Sequence, residues 1–86
     1  MTNVLASVGS LEEQLLRVLY EGPATALQCA AELTPYSRPP AERVLEIEDL
    51  LWDLAGRLYL HVEAGSAALR YSLTRAGSER LADLVE

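Results

Sequence analysis

The spacing of apolar residues changes twice along the chain, and each change marks a new kind of element. From Ser10 onward, Leu11, Leu15, Val18 and Leu19 recur every three or four positions, as on one buried helix face. Ser10-Leu11-Glu12-Glu13 has capping-box spacing, in which the Ser10 hydroxyl accepts from the backbone N–H three residues on and Glu13 reaches back. Gly22-Pro23 ends this first helix near Tyr20 or Glu21. Thr25 and Gln28 repeat the capping signal, and an alanine-rich run to Leu33 gives a short second helix. Thr34 to Pro39, with two prolines and Tyr36, reads as a turn or loop. Pro40 suits the first position of a third helix, where its missing N–H costs nothing. That helix is expected to run from about Pro40 to Ala55, with Gly56 as its left-handed stop.

The period then shortens to two. Leu58, Leu60 and Val62 alternate with Tyr59, His61 and Glu63. After the turn Ala64-Gly65-Ser66-Ala67, the residues Leu69, Tyr71 and Leu73 alternate with Arg70 and Ser72. Two strands with one buried face make a hairpin, which must lie on the helices because two strands alone are marginal in water. Thr74 caps a last helix with Leu81, Leu84 and Val85 on its apolar side. The fold class is therefore α+β: three helices, a two-stranded hairpin and a C-terminal helix. Residues 1–9 read as an N-terminal extension and residues 10–86 as one domain. A chain of 86 residues, half of them hydrophobic, sustains one small core.

Two stretches carry a family resemblance. Tyr71-Ser72-Leu73-Thr74-Arg75-Ala76-Gly77-Ser78-Glu79-Arg80-Leu81 resembles the Y-x-L-T-x-x-G-x-x-x-L stretch of PadR-like and MarR-like regulators, where the wing returns to the core. Leu51-Trp52-Asp53-Leu54-Ala55-Gly56-Arg57-Leu58 is similar to the end of their recognition helix, except that Arg57 separates the glycine from the leucine. The resemblance implies a winged helix-turn-helix over about residues 10 to 84 and a role in transcription regulation, often as a dimer. It also implies that the third helix faces the DNA major groove and that the hairpin tip, Ala64 to Ala68, is the wing.

Charge complicates that picture. The net charge is −6, and all seven bases are Arg. Domains that bind nucleic acid are usually basic, because neutralising phosphates supplies most of the affinity. On a helical wheel at roughly 100° per residue, Val44, Ile47, Leu51 and Leu54 share an arc of about 80°. Glu42, Glu46, Asp49 and Asp53 share about 60° on the opposite side, the side the resemblance turns towards DNA. A carboxylate about 7 Å from a phosphate repels it by roughly 0.6 kcal/mol in water. Four such groups oppose groove binding, and a solvated acidic face is the plainer explanation of the same pattern. Leu45 and Trp52, seven residues apart on the flank, are expected to pack against the first or last helix. Exposed instead, they would form an apolar strip beside the acids and suit a protein interface. Tyr36 and Tyr59 are similar candidates, each expected to be partly core.

Little chemistry is legible. Cys29, the one cysteine, lies in an apolar helical run and is expected to be a buried thiol. One Cys and one His, His61, do not make a transition-metal site, and no cofactor is expected. Ser7, Ser10, Ser66, Ser72 and Ser78 have no histidine base in a recognisable motif, and glycine-rich phosphate loops are absent. With no Lys there is no Schiff-base chemistry, and with none of these motifs present no enzyme is expected. Met1–Gly9 lacks the charged start and long apolar run of a signal peptide, and no stretch approaches a membrane span. The chain is expected to be cytoplasmic.

Three functions remain open. The first is a protein-binding regulator (adaptor, antirepressor or DNA mimic) using Glu42, Glu46, Asp49, Asp53 and Trp52. The second is a PadR-like or MarR-like DNA binder using Arg38, Arg43, Arg70 and Arg75 on the backbone, with dimerisation supplying further positive charge. The third is a structural dimerisation module paired through residues 1–9.

Overall fold

In the computed structural model, which describes residues 10–34 and 38–85, the first helix begins where the Ser10 hydroxyl accepts from the Glu13 N–H at 3.2 Å. Helix α1 spans Leu11–Glu21 and ends at Gly22. Its expected capping box is half made. The Glu13 carboxylate turns instead to Arg17, accepting from Nη2 at 2.8 Å and Nε at 3.0 Å, because a charge-assisted pair is the stronger use of a carboxylate that is nearly buried. The second capping box is complete: Thr25 Oγ1 accepts from the Gln28 N–H, and Gln28 Oε1 accepts from the Thr25 N–H. It starts α2, Ala26–Leu33.

The third helix, α3, spans Ala41–Gly56. Pro40 sits one place earlier than expected, at the cap, where its extended backbone aims its carbonyl at the N–H groups of Arg43 and Val44. Gly56 is not the stop. The helix continues through it, and the left-handed residue is Leu58, with φ 69°. The Leu58 N–H donates to the Ala55 carbonyl and the Tyr59 N–H to the Leu54 carbonyl, each at 3.0 Å. Those two bonds define a Schellman motif in which Leu58 holds the position glycine usually takes.

The hairpin expected from the period of two is present, with corrections at both ends. Strand β2 spans Leu60–Ala64 rather than starting at Leu58, since the left-handed turn leaves Leu58 74% exposed. Strand β3 spans Leu69–Leu73, paired with β2 from Leu60↔Leu73 to Ala64↔Leu69. The sheet has three strands, not two. Ala24–Thr25 forms a short strand, β1, antiparallel to β3, giving the order β1-β3-β2. A helix-capping residue has an extended backbone. Thr25, at φ −87° and ψ 169°, therefore caps α2 and pairs with Arg70 at once.

Helix α4, Arg75–Val85, is capped as expected, the Gly77 N–H donating to Thr74 Oγ1 at 3.0 Å. Leu81 and Leu84 pack on the core; Val85, expected to do so, is exposed in the final turn, where it shares a surface groove with Tyr20. The core is built from Leu15, Leu16 and Leu19 of α1, Cys29 and Ala30 of α2, Ile47, Leu51 and Leu54 of α3, and Leu60 and Tyr71 of the sheet. Each fully buried leucine there contributes about 1.5–3 kcal/mol. Helix α3 packs on α2 and β2, and α1 packs on α4 and β3. The described residues thus form an α+β fold of four helices and one three-stranded antiparallel sheet. No helix among them is long and apolar enough to cross a membrane. The reading of residues 1–9 as an extension, and of Tyr36 as partial core, falls outside the described residues.

Candidate functional site

Helix α3 exposes these acids because the residues that anchor it to the core lie on the opposite side of the helix. Ile47, Leu51 and Leu54 are buried, so Glu42, Glu46, Asp49 and Asp53 stand in solvent on the opposite side. Two of the four are answered within the same helix region. Arg43 Nη1 lies 3.0 Å from Glu46 Oε1, and Arg57 Nε lies 3.2 Å from Asp53 Oδ2. Glu42 and Asp49 have no ion-pair partner among the described residues. On the wheel these two lie nearer to Leu45 and Trp52, whereas Arg43 and Arg57 lie on the other flank. The face is therefore graded: apolar, then unpaired acid, then acid paired with arginine.

Leu45 and Trp52, expected to be covered by the first or last helix, stand largely exposed. They are 59% and 52% exposed, and form an apolar strip beside the acids. Trp52 leans instead on the sheet, its ring meeting the Tyr71 ring at 90° with centroids 6.5 Å apart. That contact sets the indole against a buried strand residue while about half of the residue stays exposed. A large side chain held in one place loses little freedom on being covered, which favours an anchor role.

The four arginines named for DNA contact are differently placed. Arg38 is exposed ahead of α3, while Arg43 is held by Glu46. Arg70 is exposed on β3, between Thr25 of β1 and Glu63 of β2. Arg75 opens α4 and lies 3.5 Å from Glu79. Two of the four thus already have carboxylate partners on their own helices. The hairpin tip is closed by the Gly65 N–H donating to the Ala68 carbonyl at 2.9 Å and presents no charged side chain.

Two further residues carry perturbed chemistry. Burial pushes the Cys29 thiol up to about 11, with the Glu32 carboxylate adding to the effect. Burial likewise raises the Tyr71 phenol, helped by Glu48 and then Cys29, and its hydroxyl has no hydrogen-bond partner among the described residues. Both groups are held neutral inside the core, where a nucleophile or base would need the opposite. His61 is exposed on β2. Among the described residues, no group of three or more His, Cys, Asp or Glu is placed to hold a metal ion.

Sequence patterning missed Arg80. Its Nε donates to Glu12 Oε2 at 2.9 Å, tying α4 to α1 across 68 residues of chain, and its guanidinium lies 5.9 Å from the centre of the Tyr59 ring. No local signal announces such a pair; only the register of the two helices brings it together. Tyr59 is partly buried against the core, as expected.

The fold resembles that of a solved structure. The complex structure of hsRosR-S4 matches this chain with a TM-score of 0.69 and 23% sequence identity, covering 86% of this chain and 64% of that one. The chain thus matches less than two thirds of that protein's length, and the likeness is one of fold. No family model matches the chain, and no curated protein matches it.

Proposed function

We propose that this is a small non-catalytic winged-helix regulatory protein, working in transcription control in the cytoplasm through protein contacts on the outer face of α3. Adaptor, antirepressor and DNA mimic are the forms such a role takes. In this reading the hairpin from Ala64 to Ala68 is the wing, and α3 stands where a DNA-reading helix would. The observation that carries it is the pairing of exposed Trp52 and Leu45 with the unpaired carboxylates of Glu42 and Asp49 on one face. An apolar anchor with an acidic border suits a protein partner bearing basic residues around an apolar pocket. The same acids oppose phosphate.

The test is fluorescence anisotropy of a mixed-sequence duplex titrated at low salt, where non-specific phosphate binding has its best chance. No binding is expected. Micromolar binding that vanishes as salt rises would overturn the reading. It would favour a PadR-like or MarR-like DNA regulator using Arg38, Arg43, Arg70 and Arg75. Once a partner is in hand, E42Q/E46Q/D49N/D53N should lose its capture; unchanged capture would equally sink the proposal.

A further inference from the structure

Strand β2 is an edge whose outward groups are complementary to a second copy of themselves. The parity of its backbone follows from two bonds. The Thr74 N–H donates to the Tyr59 carbonyl at 3.1 Å, and the Gly65 N–H donates to the Ala68 carbonyl at 2.9 Å. In an antiparallel ladder, alternate residues turn their N–H and C=O to the same side. Tyr59, His61, Glu63 and Gly65 therefore bond towards β3, and Leu60, Val62 and Ala64 turn theirs away from it. β2 pairs only with β3 among the described residues, so these three donors and three acceptors meet no strand.

Exposed edges are normally blunted by proline, lysine, a bulge or a cover. β2 contains no proline and no lysine, and its register with β3 runs unbroken from Leu60 to Ala64. The charge that would deter a like edge is Glu63, and His61 stands two residues away on the same face. An antiparallel two-fold pairing centred on Val62 sets Leu60 against the partner's Ala64 and Val62 against the partner's Val62. All three outward-turned residues then fall in hydrogen-bonded pairs, giving six backbone bonds. His61 falls opposite the partner's Glu63 in the non-hydrogen-bonded pairs, where Cα atoms approach to about 4.5 Å and side chains are closest. Because Glu63 also faces Arg70 across β3, each row reads arginine, glutamate, histidine, serine through Ser72 of the partner subunit. The hairpin tip of the second copy lies towards Leu58, the most exposed of the large apolar side chains.

We propose that β2 is a homodimerisation edge, joining two copies antiparallel about Val62 into one six-stranded sheet, with His61 and Glu63 exchanged across the two-fold. The isologous geometry uses each contact twice. The edge uses none of the four acids of α3, so variants of β2 and variants of α3 test dimerisation and partner capture separately.

Sedimentation equilibrium on the full chain tests it, with far-UV circular dichroism confirming the fold of each variant. Ala64 is exposed and its N–H points outward, so Ala64→Pro leaves the pairing with β3 intact while deleting one bond from each end of the interface. His61→Glu sets two like charges across each half. Each change is expected to weaken dimerisation by about tenfold or more. The double variant H61E/E63H restores opposite partners and should recover association. A protein that stays monomeric at every concentration overturns the proposal, as does a dimer that is indifferent to Ala64→Pro. Sensitivity to Ala64→Pro without sensitivity to His61→Glu overturns the register about Val62.

Discussion

At Leu58 the chain turns with φ 69°, a left-handed conformation that crowds the Cβ of any L-residue at roughly 1–2 kcal/mol. Little holds a leucine there, since the side chain is mostly in solvent. What fixes the turn is its neighbours: Tyr59 packs against the core beside buried Leu54, and its carbonyl accepts from the Thr74 N–H. Leu58→Gly should therefore stabilise the fold by about 0.5–1 kcal/mol, strain relief outweighing the entropy of the added glycine. Chemical denaturation checks this, and a lower midpoint at unchanged slope would refute it. Cys29 gives the second prediction at this scale. Its folded thiol is raised to about 11 from an ordinary 9.0, and the Tyr71 phenol moves the same way. Both groups are neutral in the fold and free to ionise on unfolding. Their stabilisation is complete below the ordinary thiol value and is lost as pH rises through the folded one. The melting temperature should fall between pH about 9 and about 11, less steeply in Cys29→Ala. A wild-type melting temperature that stays level across that range would contradict it. The buried cysteine was legible from its apolar helical run; Leu58 was not. The glycine that sequence reading marked as the stop lies two residues early, and only the tertiary pull on Tyr59 selects the position that turns.

Among the elements, the junction of α4 with the turn ahead of β2 depends on Gly77. A Cβ there would collide with the backbone carbonyl of Tyr59 and crowd the Leu73 side chain. Backbone cannot yield as a flexible side chain does, so Gly77→Ala should cost about 2–3 kcal/mol and leave the thermal unfolding cooperative but earlier. A melting temperature within one degree of wild type would show that the junction has slack. This is a physical reason for the glycine of the tyrosine-to-leucine stretch: α4 must pass close beneath the turn for Thr74 to cap it and donate to the Leu58 carbonyl. The order of helices and hairpin was readable because period and caps are local. Strand β1 was not. Two residues carry no periodicity, and Thr25 reads as a helix cap, which it also is. Trp52 was misread for a related reason. A wheel places it on the flank, but whether a neighbour covers that flank depends on how α3 packs on the sheet, and that packing leaves Trp52 half exposed.

For the molecule as a whole, sign and placement of charge decide which partners the outer face of α3 tolerates. The acidic stripe was legible, since four carboxylates at i, i+4, i+7 and i+11 must share a face. Its partial neutralisation was less so: the spacings i, i+3 and i, i+4 permit Arg43–Glu46 and Asp53–Arg57, but spacing alone does not say which acids are left without an arginine. That neutralisation yields the last prediction. E42Q/E46Q/D49N/D53N removes four negative charges from a net charge of −6, leaving −2. It also releases Arg43 and Arg57 on the same face. All four acids are exposed and the two affected pairs lie on the surface, so stability should change by less than about 1 kcal/mol. If carboxylates alone keep α3 from phosphate, the variant should gain weak duplex binding at low salt where the native chain has none. Two freed guanidiniums set a log–log salt slope of about −2. A variant that still ignores DNA would show instead that the shape of this face, with Leu45 and Trp52 standing out from it, excludes a groove whatever its charge. The surface would then be fitted to protein in form as well as in sign.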